Sequence, residues 1–531
     1  MDIEITLKNY RCFPDVNPAR INLRDGFTSF VGVNNSGKSS ILKFFYELRP
    51  LFQQWTPNNH MLLQPLQGVV GSFGPVQTVF DLAEIFSNTN NRDMQIEIKL
   101  PLVQGASKNA SCPMANKIQF TVRRPTNTWT ARVFTSDNPF PNAAFSFGGA
   151  GDILFTAGQP VADISELFKA LKNISSTLYI GPFRNAVNVG SNDAYFDIQV
   201  GQGFITSWKN YKSGNVKIQN EACHKLTEDI KRIFGYNDLD ISSSADDRSL
   251  QVLIDGKSFK LPEVGSGLTQ FILVLATAAV KNASYILIDE PELNLHPSLQ
   301  LDFLTTLASY ASNGILFATH SLGLARGAAD KIYSVRKLEP GVSVVGDLEA
   351  TPHLAEFVGE LSFSSYKELG FDRILLVEGR TEVKTYQQFL RLLKKDHQVV
   401  LLPMAGNEMI NANSEAELVE LTRISDRVSA VIDSERSDAG EPVSASRQSF
   451  IEACKRAKID CKLLDRRAVE NYLSDRAIKR VKGAGCQALT PYQKRETLSQ
   501  MWAKADNWRI AREMSLEELQ ASDLGQFLAK L

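Results

Sequence analysis

The sequence predicts an α/β protein with two successive parallel sheets. Three observations carry that expectation. A Gly-rich turn at 32–37 lies between an apolar run and an amphipathic helical pattern. Continuous apolar runs at 285–288 and 314–318 read as strands buried on both faces. After about residue 370 the alternation of apolar run and helical spacer starts afresh, which describes a second, smaller sheet.

Length and composition set the frame. The chain has 531 residues, 43% hydrophobic and 22% charged, enough for two to four domains with a full core. Its 30 Phe, 13 Tyr and 5 Trp exclude disorder as the dominant state. With 58 basic and 59 acidic residues the net charge is −1, so any polyanion site must be local. The six cysteines are scattered without a Cys-x-x-Cys pair, which indicates neither a disulfide framework nor a zinc knuckle. Acids stand at the start where a signal peptide needs Lys or Arg, and Phe271 to Val280 is half a bilayer span. A cytoplasmic protein without a membrane segment is expected.

Along the chain, Ile3, Ile5 and Leu7 alternate with Glu4 and Thr6, predicting a half-buried strand. Thr28 to Val31 leads into the Gly-rich turn. Ile41, Leu42, Phe44, Phe45 and Leu48 then follow at helical spacing. From about 55 to 160, Asn, Pro, Gly and Thr separate short alternating pieces such as 94–100, which read as inserted hairpins and long loops. Residues 161–235 read as mainly helical. A domain boundary is expected between about 335 and 370, and strands at 373–377, 398–402 and 429–432 follow it.

Gly32-Val33-Asn34-Asn35-Ser36-Gly37-Lys38-Ser39 fits the eight-position phosphate-binding loop, between a strand and a helix. The backbone N–H groups of Gly32, Asn35, Ser36 and Gly37 and the helix N-terminus suit phosphates. Lys38 would reach the β/γ-phosphates of ATP, and the Ser39 hydroxyl would ligate Mg²⁺. About 250 residues on, the run 286–288 ends in Asp289 and Glu290. Asp289 would complete the Mg²⁺ shell and Glu290 would polarise the attacking water. His320, just past the 314–318 run, is placed to reach a γ-phosphate.

These residues resemble the ABC-type ATPases of the SMC/RecF branch. Asn9 to Phe13 resembles that branch's aromatic-Arg entry motif, and Gly265 to Gln270 stands at the signature position. The resemblance implies that Ser266 and Gly267 contact ATP held by a second copy, in a homodimer. The order Gly-Ser-Gly with a later Gln departs from the usual signature. Gln54, Gln67 and Gln77 are all candidates for the Q-loop. The roughly 220 residues from loop to signature hold no heptads, which excludes a long coiled coil.

In the second sheet, Glu378 ends a strand and Glu382 stands one helical turn on, while Asp433 and Glu435 end another strand. Ligands of an open parallel sheet gather at such strand ends, and clustered carboxylates suit Mg²⁺ or Mn²⁺. The pattern resembles a Toprim domain, with Gly406 after its second strand and Glu435 in place of the usual last Asp. ATPase then Toprim resembles the OLD (overcoming lysogenization defect) nucleases, with relatives in Gabija and retron anti-phage systems. In that family's terms 1–345 would be the ATPase domain with insertions around 55–235, 346–370 a linker, and 371–531 the Toprim nuclease. The resemblance implies metal-dependent DNA cleavage. Glu378 would be base or bridging ligand, Asp433, Glu435 and Glu470 metal ligands with Glu382 assisting, and Lys482 the basic residue near the scissile phosphate.

Residues 461–510 hold eleven Lys/Arg against five Asp/Glu, an excess that suits either a phosphate-backbone footprint on nucleic acid or a solvated face. Trp502 and Trp508 read as core anchors before stacking platforms. Two other classes stay open: an ATP-dependent DNA- or partner-binding scaffold with an inactive acidic site, and an RNA (for example tRNA) nuclease. The family also admits a separately encoded partner complex.

Overall fold

The computed structural model describes residues 2–55, 63–76, 78–101, 112–135, 138–140, 145–148, 152–182, 194–244, 246, 248–348, 373–396, 398–404, 418–419, 421–422, 425, 427–498 and 502–531. Gln77, Gly406 and nearly all of the expected linker at 346–370 lie outside the described residues. Two compact units divide the chain: Met1–His320 with Lys331–Leu348, and Ser321–Asp330 with Glu349–Leu531. Among the described residues no helix is long and apolar enough to cross a membrane, and all six cysteines are free thiols.

The first unit opens with β1 (Ile3–Lys8), β2 (Ala19–Leu23), β3 (Gly26–Val31) and α1 (Lys38–Glu47). In β1, Ile3, Ile5 and Leu7 are fully buried, as the alternation predicts. β1 pairs antiparallel with β2 and with β4 (Met94–Lys99), and β5 (Lys117–Val122) and β6 (Thr128–Thr135) extend this sheet. Part of the stretch read as inserted hairpins is therefore the body of a sheet that the N-terminal strand joins.

The second sheet of this unit runs β7 (Leu178–Ile180), β8 (Tyr285–Asp289), β9 (Gly314–Thr319), β3, β10 (Lys331–Glu339), β11 (Val342–Asp347). All neighbours are parallel except the β10–β11 hairpin. Every residue of β8 and β9 is buried, the signature of parallel strands covered on both faces. β7 is three residues long in a region that is helical at Ser165–Ser175, Gly201–Ser213 and Lys217–Phe234 and also holds a short hairpin, Ala194–Tyr195 with Ile198–Gln199. The start of the expected boundary is a correction. Pro340 and Gly341 (φ +82°) form the β10–β11 turn, and Pro-Gly marks a hairpin turn and a linker alike.

In the second unit β12 (Arg373–Val377), β13 (Val399–Pro403), β14 (Val428–Ile432) and β15 (Asp460–Leu463) are all parallel, ordered β13-β12-β14-β15. The chain steps from β12 outward to β13, then returns to the other side of β12 for β14. The strand order therefore reverses between β12 and β14, which creates a crevice at their carboxyl ends. α3 (Arg380–Leu392) follows β12, and α4 (Ala445–Arg456) follows β14. The buried Lys384 of α3 donates to Asp330 (2.8 Å) and to the Ala328 carbonyl (3.2 Å). A buried ammonium needs such partners, and this contact ties segment 321–330 into the second unit.

Candidate functional site

The loop 32–39 joins β3 to α1 in the first unit, and two glycines set its path. At Gly32 an added Cβ would lie 2.1 Å from the Val335 carbonyl oxygen. At Gly37, φ is +103° and a Cβ would lie 2.6 Å from Cys12 Sγ. Both positions thus require glycine, for close approach and for a left-handed backbone. The entry motif supports the far end of α1. Tyr10 donates to Glu47 (2.8 Å), and Arg11 forms an ion pair with the same carboxylate.

Beside the loop, β8 delivers Asp289 and β9 delivers His320. Asp289 is 2% exposed, and neither carboxylate oxygen makes a hydrogen bond of proper geometry. Burial pushes its pKa up to about 6; Glu290 adds to the rise, while Ser39 and Lys38 oppose it. The buried Ser36 hydroxyl also lacks a partner. Orphaned buried oxygens are costly unless a ligand completes them, and this donor set of Ser39, Asp289 and Glu290 fits Mg²⁺ with phosphate. Lys38 Nζ donates to the carbonyls of Gly32 (2.8 Å) and Val33 (3.0 Å) and lies 3.4 Å from His320 Nε2. Burial lowers its pKa against the pull of Asp289, Glu290 and Glu292.

Glu290 adopts φ +53°, a strained conformation for a glutamate. Its N–H is held by the Ala318 carbonyl (2.8 Å), and its Oε1 lies 3.1 Å from His320 Nε2. Glu292 and Thr319 are functional neighbours that the sequence reading missed. Glu292 Oε1 accepts from Thr319 Oγ1 (2.7 Å) and from the His320 N–H (2.9 Å), which fixes the backbone carrying His320. Ser266 is exposed at the N-terminus of α2 (Ser266–Lys281), capped by Gly265. A Cβ on Gly267 would meet the Asn294 carbonyl at 3.1 Å. Gln54 and Gln67 donate to the carbonyls of Ser72 and Phe145, an architectural use of both amides.

In the second unit the crevice between β12 and β14 collects carboxylates. Glu378 Oε1 accepts from the Asp433 N–H (2.7 Å), and Glu382 Oε2 accepts from the Gly379 N–H (3.2 Å) at the start of α3. Asp433 Oδ1 accepts from the Val469 N–H (3.1 Å), which places Glu470 next in line. The cluster is electrostatically crowded. Burial, then the charges of Glu378 and Glu470, pushes the Glu382 pKa up to about 8. Burial, then the charges of Glu382, Glu378 and Glu470, holds Asp433 well above the carboxylate range, and burial raises Glu378 against the opposing Arg447.

Two cations answer this crowding, and the sequence reading found neither. Arg447 of α4 is 2% exposed; its Nη2 lies 3.1 Å from Glu378 Oε1 and 3.3 Å from Glu435 Oε1, and its Nε donates to the Asp433 carbonyl (2.7 Å). Lys504 Nζ lies 3.3 Å from Glu470 Oε1. Burial works against its charge, but Glu470, Asp433 and Glu382 outweigh it and raise its pKa. Lys482, the basic residue expected here, is instead paired with Asp506 at 2.5 Å. Oxygen donors of this kind suit a hard divalent cation. Among the described residues, however, no group of three His, Cys, Asp or Glu is arranged to hold one.

The local basic excess at 461–510 shrinks once its partners are counted. Arg476 pairs with Glu518, Arg480 with Glu513 and Lys462 with Asp523, all acids just beyond that window. Trp502 and Trp508 are 2% exposed, and Trp502 Nε1 donates to Asn507 (2.9 Å). They are core anchors.

Comparison with known proteins adds the following. A family model described as an AAA ATPase domain matches residues 1–137. A second, described as an AAA domain and named for the AbiEii toxin of type IV TA systems, matches residues 224–326. No curated protein matches the chain. Solved structures similar to it include the SMC head domain from Thermotoga maritima, 16% identical over 66% of this chain and 100% of that one, TM-score 0.34. The Smc head domain with an extended coiled coil from Pyrococcus furiosus, bound to the C-terminal domain of ScpA, is 12% identical over 69% and 98%, TM-score 0.35. Likeness at that level carries no weight beside the two family matches. Those matches take in the loop 32–39 and the acids 289–290, and both are to AAA-type ATPase domains, which imply ATP with a divalent metal, typically Mg²⁺.

Proposed function

We propose that this chain is an ATP-regulated, divalent-metal-dependent DNA endonuclease or nickase of the OLD type, acting in anti-phage defence. In this reading residues 1–345 are the ATPase domain, 346–370 the linker and 371–531 the Toprim nuclease domain. The observation that carries it is the meeting of Glu378, Glu382, Asp433 and Glu470 at the strand-order reversal of a parallel sheet, where burial and mutual charge raise the carboxyl pKa values of Glu378, Glu382 and Asp433. Nothing in folding calls for so many buried acids in one crevice; a cation-assisted reaction on a phosphodiester does.

At the ATPase site, Ser39 and Asp289 would hold Mg²⁺, Lys38 would move from the loop carbonyls to the phosphates, and Glu290 would take the proton of the attacking water. His320 orients Glu290 and senses the γ-phosphate, with its backbone fixed by Glu292. Ser266 and Gly267 serve the nucleotide of a second copy in a homodimer. At the nuclease site, Glu378, Asp433, Glu435 and Glu470 would be the ligands, and Mg²⁺ or Mn²⁺ would supply Lewis-acid activation of water there. Glu378 accepts the water's proton, Glu382 keeps the ligands apart and oriented, and Lys504 receives the phosphate of the substrate.

Matched DNA and RNA substrates in Mg²⁺ test the reading. DNA nicking that is lost in Glu378→Ala, with ATP turnover retained, is the expected outcome; nicking unchanged in that variant removes it, and cleavage of RNA alone moves the substrate class. The second reading, an ATP-dependent scaffold, is favoured by Arg447 standing between Glu378 and Glu435. It predicts DNA binding without cleavage at any Mg²⁺ or Mn²⁺ concentration.

A further inference from the structure

We infer that Arg447 is a built-in counter-cation that competes with the divalent ion for the carboxylate crevice and keeps the metal-free site closed. The inference rests on the nuclease reading of that crevice and goes beyond it by assigning regulation to a residue that reading does not use.

Three facts converge. Arg447 is nearly fully buried, so its guanidinium sits where an uncompensated charge is most costly. Its Nη2 faces two acids from different strand ends, 3.1 Å from Glu378 Oε1 and 3.3 Å from Oε2, and 3.3 Å from Glu435 Oε1. Its Nε holds the Asp433 carbonyl at 2.7 Å, so the residue between the two acids is pinned by the same fork. Each carboxylate lone pair that accepts from the guanidinium is withheld from a cation in the crevice. That accounts for five acids, Glu378, Glu382, Asp433, Glu435 and Glu470, gathering where no three are arranged to hold a metal. Lys504 makes its ion pair with Glu470 (3.3 Å), whereas the ion pairs of Glu378 and Glu435 are with Arg447.

A divalent ion therefore enters only as the Arg447 fork releases Glu378 and Glu435. A positive charge within a few ångströms opposes it by an amount worth at least about tenfold in affinity at an effective dielectric near ~20. The site becomes an off-state whose threshold is set by one arginine.

The test uses the full chain without nucleotide. Mn²⁺ binding is measured by the electron paramagnetic resonance of free Mn²⁺, and thermal unfolding is followed in EDTA and in Mn²⁺, for wild type, Glu378→Ala, Arg447→Met and Arg447→Lys. Glu378→Ala subtracts ions bound elsewhere. The expected result is Glu378-dependent binding that tightens at least about tenfold in Arg447→Met, stays near wild type in Arg447→Lys, and gives Arg447→Met the larger Mn²⁺-induced rise in melting temperature. Should Arg447→Met fail to fold in EDTA, recovery of a native melt on adding Mn²⁺ supports the inference, and no recovery overturns it. Binding unchanged or weakened in Arg447→Met overturns it while wild-type binding leaves the nuclease reading standing. No Glu378-dependent Mn²⁺ binding in either protein overturns both.

Discussion

Glu382→Gln separates the cost of the crowded crevice from its use. Glu382 is buried on α3 with its pKa at about 8, against 4.5 for an exposed glutamate, because burial and the charges of Glu378 and Glu470 oppose ionisation. Between those values the folded protein holds a proton that the unfolded chain has released. Stability from this group is therefore complete below pH 4.5 and is lost as pH rises through about 8. From pH 6 to pH 8 the wild type should lose about 2 kcal/mol through Glu382, at about 1.4 kcal/mol per pKa unit. Glutamine has the same shape and keeps an oxygen for the Gly379 N–H, but carries no charge. Thermal melts in EDTA at pH 6 and pH 8, with Trp502 and Trp508 as reporters in the second unit, give the readout. The melting-temperature advantage of Glu382→Gln should grow by about 4–8 °C between the two pH values, at 2–4 °C per kcal/mol. Glu378 and Asp433 titrate beside it in both proteins, so the difference between variant and wild type is the quantity to read. An advantage independent of pH, or a disadvantage that grows with pH, refutes the reasoning.

Three further outcomes follow from the first unit. Glu290→Gln should keep ATP binding and lower hydrolysis by about 10²–10⁴-fold, seen as phosphate release against nucleotide binding. Gly37→Ala should destabilise the loop by about 1–3 kcal/mol and abolish ATP binding, since its Cβ meets Cys12 Sγ at 2.6 Å and its φ is +103°; adding Cys12→Ala should leave the φ penalty in place. Thr319→Ala removes one of the two hydrogen bonds to Glu292 Oε1. It should cost about 1 kcal/mol in melts and slow hydrolysis more than it weakens ATP binding.

Contiguous features were legible in the sequence, and features assembled across the fold were not. The loop 32–39 and the strand ending in Asp289 and Glu290 carry their chemistry within a few residues, next to apolar runs that read as buried strands. Glu378 and Asp433 were legible for the same reason, each at the end of such a run. Arg447 was not, because an arginine within a polar helix is ordinarily a solvated residue; only α4 folding back over β14 buries it against Glu378. Lys504 and Lys482 lie in one basic stretch with nothing local to rank them, and the ranking comes from Asp506 taking Lys482 and Glu470 facing Lys504. Glu292 and Thr319 meet across two strands, a pairing that needs the β8–β9 register. β1 shows the limit at fold level: alternation revealed a half-buried strand, but its partner β4 lies about 90 residues away with no local mark of the pairing.

The most direct test of the central claim is a plasmid-relaxation time course in Mg²⁺, with and without ATP, for wild type, Glu378→Ala and Lys38→Ala. The wild type should nick the plasmid, Glu378→Ala should not under any condition, and Lys38→Ala should differ from the wild type only when ATP is present. Nicking that persists in Glu378→Ala, or a wild type inert in every lane, would contradict that claim.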